Sequence, residues 1–311
     1  MNSKMMMGSA STVALAVAGA QGAVAQSPAM LEGYTLNVQG GVGIIDNVWA
    51  DKVEGESSEE QDKVGADETH GAFMGSLSLT RQTAPGRDMT LGLSLGGSPD
   101  NRYENTFESG GSSFTSISKN ELAFAALDFE LGTAIPAEIA DFRWHYGVRA
   151  LGTSARLSLG READKIGGTV EAEPSLKSEF LGIGPRVGVG FTTQPAAGPN
   201  AGQYGFFGDI GASILFGDRK DTFGIRVTED DGSGGVSSSG FSSSFSERKT
   251  VTSLDAQIGV DYYLSDNSKV SLGYQLQQFW NIDEWSDEES EADNSGPRLM
   301  QGVFIGYTTT F

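Results

Sequence analysis

The sequence predicts an all-β protein, a transmembrane antiparallel β-barrel, on three observations. Ten segments alternate apolar and polar residues with a period of two, their connections alternate short and long, and the last segment ends the chain on an aromatic residue, Phe311. Successive side chains of a strand point to opposite faces, so this alternation marks strands with one apolar face. No later stretch reaches the ~20 apolar residues of a spanning helix, so strands must do any crossing. Ten strands fit best, with eight the alternative if a segment is misread.

Composition agrees. Among 311 residues there are 43 glycines but only 38% apolar residues, as expected of strands that alternate. Without cysteine there is neither a disulfide framework nor thiolate chemistry. A formal charge of −20 argues against nucleic acid as a partner, because phosphate binding needs a clustered basic face. At the N-terminus, Lys4 precedes the apolar run Val13 to Ala20 and a small-x-small site, Ala23-Val24-Ala25. This reads as a cleaved secretory signal over residues 1–25, leaving 26–311 as a single barrel domain.

The segments come as five pairs. The first, Tyr34 to Ile45, sets Leu36, Val38, Val42 and Ile44 against Asn37, Gln39, Gly41 and Gly43. The second and third span Gly71 to Arg81 and Asp88 to Gly97, with leucines alternating against Ser, Thr and Gly. The fourth, Ile117 to Leu131, is irregular, because Leu122 and Phe124 fall on its polar face, which a bulge would explain. The fifth and sixth, Asp141 to Leu159 and Leu176 to Thr193, carry Arg143, His145, Arg149 and Arg186 on the polar face. The seventh, eighth and ninth are Gln203 to Gly217, Lys249 to Leu264 and Lys269 to Asn281. The tenth must pair with the first, since an open edge in lipid leaves backbone groups unsatisfied. Tyr34, Trp144, Tyr146, Trp280 and Tyr307 near segment ends suit interfacial girdles.

The connections at 82–87, 132–140, 194–202 and 265–268 are short, and those at 46–69, 98–116, 160–175, 218–248 and 282–298 are long. Outer-membrane barrels show this asymmetry, with short periplasmic turns and long extracellular loops. Two of the long ones are dense in carboxylates, Asp46 to Glu68 and Asp283 to Asp293, and these could bind divalent cations and bridge to lipopolysaccharide. Residues 231–246, rich in Gly and Ser, read as a flexible surface loop.

The polar face supplies the candidate site. Asp128, Glu130, Arg143, Arg149, Arg186, Asp209, Asp255 and Asp261 would line a lumen. Rings of charge select ions in pores, whereas charges in a narrow lumen must pair and thereby fill it. The glycines around Arg186 (Gly182, Gly184, Gly188, Gly190) recur at even spacing, which leaves lumenal room for Arg186 or a neighbour's long side chain. His145 fits the same lumenal network, while His70, beside Asp67 and Glu68, is the one start for a rim protease. No cofactor site is marked.

The terminal alternation of Val303, Ile305, Tyr307 and Phe311 resembles the C-terminal signal strand read by the barrel-assembly machinery of Gram-negative bacteria. Four runs, Asp128 to Gly132, Gly182 to Arg186, Gly211 to Gly217 and Gly273 to Asn281, resemble the Legionella-type major outer-membrane protein family. That resemblance implies an integral, pore-forming outer-membrane barrel and brings no catalytic residue. The expected function is therefore a small, non-enzymatic, porin-like protein passing ions or small solutes. The alternatives are a closed structural or surface-interaction barrel with acidic loops and, third, an outer-membrane protease.

Overall fold

The computed structural model describes residues 33–45, 70–109, 112–137, 139–165, 168–193, 200–230, 236–282 and 298–311. Ten strands form one closed antiparallel ring. They are β1 (Tyr34–Ile45), β2 (His70–Ala84), β3 (Arg87–Ser109), β4 (Ser112–Ile135), β5 (Ala140–Lys165), β6 (Gly168–Thr193), β7 (Tyr204–Asp230), β8 (Val236–Ser265), β9 (Ser268–Trp280) and β10 (Arg298–Thr310). Each strand pairs with its neighbours in sequence, and β10 closes on β1 from Thr35↔Thr310 to Ile45↔Met300. Beyond the ladder, the Gly33 N–H donates to the Phe311 carbonyl at 2.8 Å, and the Phe311 N–H donates to that of Tyr34 at 3.0 Å. No helix among the described residues is long and apolar enough to cross a membrane.

The outer wall is apolar, as hydrocarbon requires. Leu91, Leu93 and Leu95 on β3, Leu127 and Phe129 on β4, and Ile210 and Ile214 on β7 all point outward and exposed. At the end holding both termini, turns are tight, as at Pro85-Gly86 with Gly86 at φ 69° and at Asp266-Asn267. Aromatic side chains gather there, including Trp144, Tyr146 and the tilted pair Tyr204–Tyr262, 5.2 Å between centroids. Tyr34 lies beneath the Arg81 guanidinium, 5.2 Å from ring centroid to Cζ.

At the opposite end the strands run further than the alternation suggests. Three of the five long connections, 98–116, 160–175 and 218–248, are mostly paired strand: β3–β4, β5–β6 and β7–β8 form long hairpins. Residues 236–246, expected to be a flexible loop, are β8 strand paired with β7 from Asp230↔Val236 onward. Only ~9–11 residues are needed to cross the bilayer, so the 27 residues of β7 extend well beyond it. Beyond the lipid the outer face no longer has to be apolar, and the pattern inverts while backbone pairing continues. On β7 the outward Phe206, Ile210, Ile214 and Phe216 give way to Asp218 and Lys220, and Phe223, Ile225 and Val227 take the inward parity. Alternation was followed on one face, so the sequence reading stopped where the face changed. The acidic connections at 46–69 and 283–297, with the segment 1–25 expected to be a signal, lie outside the described residues.

The irregularity expected in the fourth segment sits on its partner. β4 keeps an unbroken register with β5, whereas β3 places Pro99 and Asp100 between Ser98↔Leu122 and Asn101↔Asn120. Proline cannot donate to a ladder and is accommodated at such a bulge. Phe124 is thus lumenal in a regular strand, buried with Leu122 packed nearby.

Candidate functional site

The middle of the lumen holds three arginines and a histidine from β5 and β6. Arg149 donates to Asp128 on β4 through Nε (2.7 Å) and Nη2 (2.8 Å). Its Nη1 crosses to β8, reaching Asp255 at 2.7 Å and Ser253 at 3.2 Å. Arg186 donates from Nε to Glu130 at 2.6 Å and grips both oxygens of Asp255 from Nη1 and Nη2 at 2.5 and 2.6 Å. Arg143 binds Asp88 on β3, with Nη2 to Oδ1 at 2.6 Å, and its Nη1 lies 3.6 Å from Glu130. His145 stands between carboxylates, Nε2 3.1 Å from Asp209 and Nδ1 3.1 Å from Glu130, the second contact close but poorly aligned for a hydrogen bond.

Guanidinium forks match carboxylates two bonds at a time, so these pairs are directional as well as charged. Arg149 and Arg186 are 2% and 5% exposed, which makes complete pairing a condition of stability. Glycine makes the room. A Cβ at Gly211 would run into the Arg186 guanidinium, and one at Gly188 would meet the His145 ring. Of the even-spaced glycines, Gly188 faces the His145 ring, Gly182 the Phe180 ring and Gly190 the Asp209 carboxylate, whereas Gly184 abuts the Ile214 backbone, and the room for Arg186 itself is at Gly211 on β7.

An apolar layer sits beside this network, towards the long hairpins. Ile45, Met74, Phe124, Leu151, Phe180, Leu215, Val251, Phe279 and Met300 supply one large side chain each from nine strands. The remaining strand, β3, offers Gly96 beneath the Phe124 ring. Phe124 and Phe279 meet edge to face at 5.5 Å, and they come from β4 and β9 on well-separated parts of the ring. Nearer the termini, Phe207 of β7 and Phe304 of β10 approach to 6.2 Å, and the Gln39 amide donates to Gln257 at 3.5 Å. Side chains thus meet across the lumen at three levels.

Seven of the eight charges singled out in the sequence join the central network: Asp128, Glu130, Arg143, Arg149, Arg186, Asp209 and Asp255. Asp261 stands apart near the turn end, accepting from Lys269 Nζ at 2.5 Å and Ser271 Oγ at 2.6 Å. Asp88 was missed, although it shares parity with Thr90, Gly92 and Ser94 and could have been read from that. The apolar layer was missed too. Its signal was the misplaced Leu122 and Phe124, treated as exceptions to a polar face. No group of His, Asp and Glu among the described residues is arranged to hold a metal ion, and the side chain of His70 lies outside what is described.

The model of the Legionella pneumophila major outer membrane protein precursor family matches residues 37–311. No curated protein sequence matches the chain. Among solved structures, the outer membrane protease OmpT of Escherichia coli is similar at 10% identity, covering 89% of this chain and 97% of that one, with TM-score 0.37. A major outer membrane protein of Thermus thermophilus is similar at 14% identity, covering 89% and 99%, with TM-score 0.31. The P. putida toluene transporter TodX is similar at 12% identity, covering 90% of each chain, with TM-score 0.31. Scores of this size carry no argument about activity.

Proposed function

The chain belongs to the Legionella pneumophila major outer membrane protein family, and from that premise we propose that it is a non-enzymatic outer-membrane barrel whose resting lumen is closed and whose long hairpins face the exterior. One observation carries this reading: apolar side chains from nine strands fill a layer of the lumen, and the charge network beside it is paired across the barrel. Ten strands enclose little more than the eight whose interior side chains just fill, so such a plug is sterically natural. The partners in this reading are outer-membrane lipid and lipopolysaccharide, divalent cations at the acidic loops, and the assembly machinery. That machinery would read Val303 and Ile305, both half exposed on the outer wall, with Tyr307 and Phe311 at the seam.

A second reading, a narrow cation-leaning path, is favoured by one feature. Five lumenal carboxylates (Asp88, Asp128, Glu130, Asp209 and Asp255) face three arginines and a histidine. Conduction would require the side chains to move aside. Planar-bilayer recording on the purified, heat-modifiable barrel separates the two. The closed barrel gives no steps at moderate voltage, and a steady, cation-selective conductance in the unmodified protein replaces it with the pore.

A further inference from the structure

The long hairpins join into a six-stranded extension, and its two outer edges differ in kind. Among the described residues, β8 from Val236 to Val251 pairs only with β7, because the β8–β9 ladder begins at Thr252↔Trp280. At the other edge β3 runs past β2 after Gly97. Unpaired strand edges invite another strand, and proteins blunt them with charge, proline and bulges. The β3 edge carries all three: Pro99 in its bulge, then Asp100, Arg102, Glu104 and Glu108. The β8 edge carries none over eleven residues, Val236-Ser-Ser-Ser-Gly-Phe241-Ser-Ser-Ser-Phe245-Ser246, and charge returns only at Glu247, Arg248 and Lys249. Every side chain from 236 to 246 is exposed, with Phe241 and Phe245 at 65% and 63%.

We propose that residues 236–246 of β8 are a homotypic docking edge, whose occupant is the same edge of a second copy of this chain, paired antiparallel about Phe241. About that residue two of the five flanking pairs are serine to serine, and the others set Gly240 against Ser242, Ser237 against Phe245 and Val236 against Ser246, so every pair is uncharged. Antiparallel pairing sets Phe241 opposite its counterpart, Ser239 opposite Ser243, Ser238 opposite Ser244 and Ser237 opposite Phe245. No like charges meet, and small residues meet small ones except where a ring supplies contact area. A two-fold axis normal to the sheet keeps inward faces continuous, so the rings at 241 and 245 join the apolar parity of Phe223 and Ile225 on β7. Main-chain hydrogen bonds supply the affinity, as in other strand additions. Such a contact is isologous and stops at two.

The direction of β8 sets the geometry of the pair. It descends from the hairpin end to the turn end, so an antiparallel copy ascends. Two barrels so joined stand head to head, and each belongs to a different membrane. The contact therefore bridges facing outer membranes, where many weak copies act together.

The chain has no cysteine, so single introduced thiols report cleanly. With the full barrel in liposomes and a short bis-maleimide linker, Phe241→Cys should give a cross-linked dimer. Ser237→Cys and Phe245→Cys should link to each other when mixed and not to themselves. Ser239→Lys combined with Ser243→Lys sets like charges opposite one another, and should reduce both the Phe241→Cys dimer and liposome clustering at least about tenfold. Heat-modifiable migration should be unchanged in that variant. Absence of the Phe241→Cys dimer, self-linking by Ser237→Cys, a ladder of higher oligomers, or full cross-linking in the double-lysine variant would each overturn the proposal.

Discussion

Arg186 and Asp255 stand on strands that do not touch, β6 and β8, and meet through paired hydrogen bonds of 2.5 and 2.6 Å that pass over Gly211 of β7. The same guanidinium holds Glu130 on β4 at 2.6 Å, so one side chain ties three non-adjacent strands. Hydrogen bonds in the wall fix each strand to its neighbours. This contact ties strands that are not neighbours, along a chord of the lumen from β4 through β6 to β8.

Arg186→Ala should therefore be among the most damaging single changes in the lumen. It strips a partner from two carboxylates, Glu130 and Asp255, and breaking a buried pair from one side typically costs about 3–5 kcal/mol. The expected result is a large drop in the temperature at which the heat-modifiable gel band converts. Arg186→Lys should recover only part of it, because an ammonium cannot reproduce the fork. An unchanged conversion temperature in the alanine variant would show that the network is not structural.

Gly211→Val tests the same contact from the other side. The added side chain enters the space of the Arg186 guanidinium, and overpacking of this kind costs about 1–3 kcal/mol. Combined with Arg186→Ala, the valine should do much less further harm, giving a double-mutant cycle with strong coupling. Strict additivity in the same gel assay would rule out the collision.

The apolar layer predicts an effect on transport. Leu151→Ala and Leu215→Ala each remove a fully buried side chain and should destabilise by about 2–5 kcal/mol. Adding Phe124→Ala removes the ring that meets Phe279. Planar-bilayer recording should then show small conductance steps in the triple variant that the parent lacks. If the triple variant stays silent while folded, the seal lies in the charge network instead.

How much of this was legible depended on which force wrote the pattern. Lipid imposes an apolar outer face, so every membrane-crossing strand announced itself, and the cost of an open edge in lipid correctly implied that the last strand pairs with the first. Water imposes no such rule on the hairpins, and residues 231–246 looked like a flexible surface loop because serine and glycine carry no periodic signal, although 236–246 are β8 strand. The lumen was legible where it is charged, at Arg149 or Asp255, and illegible where it is apolar. A leucine such as Leu215 beside Ile214 reads as noise unless both faces of the strand are allowed to be buried.

Deleting Phe311 should impair insertion and leave export intact. Its backbone makes two hydrogen bonds at the seam, with Gly33 and Tyr34, and its ring ends the outward alternation of Val303 and Ile305. Cell fractionation with heat-modifiable migration measures this, and the truncated chain should collect in the periplasm without the compact band. A normal yield of compact barrel in the outer membrane would mean that the residue is dispensable.

The seam also bears on the order of folding. Nine of the ten strand pairings join sequence neighbours through a hairpin or connection, and one, β1 with β10, joins residues as far apart as Thr35 and Thr310. Bringing together ends some 275 residues apart carries a length-dependent loop-closure entropy of about 5 kcal/mol if the chain between is unstructured, and far less once it is a folded sheet. The seam strands have 12 and 13 residues against 27 and 30 in the β7–β8 hairpin. Few contacts must therefore form at once when the curved sheet meets itself. Closure of the seam is therefore least costly as the last step, once the other nine pairings have shortened it.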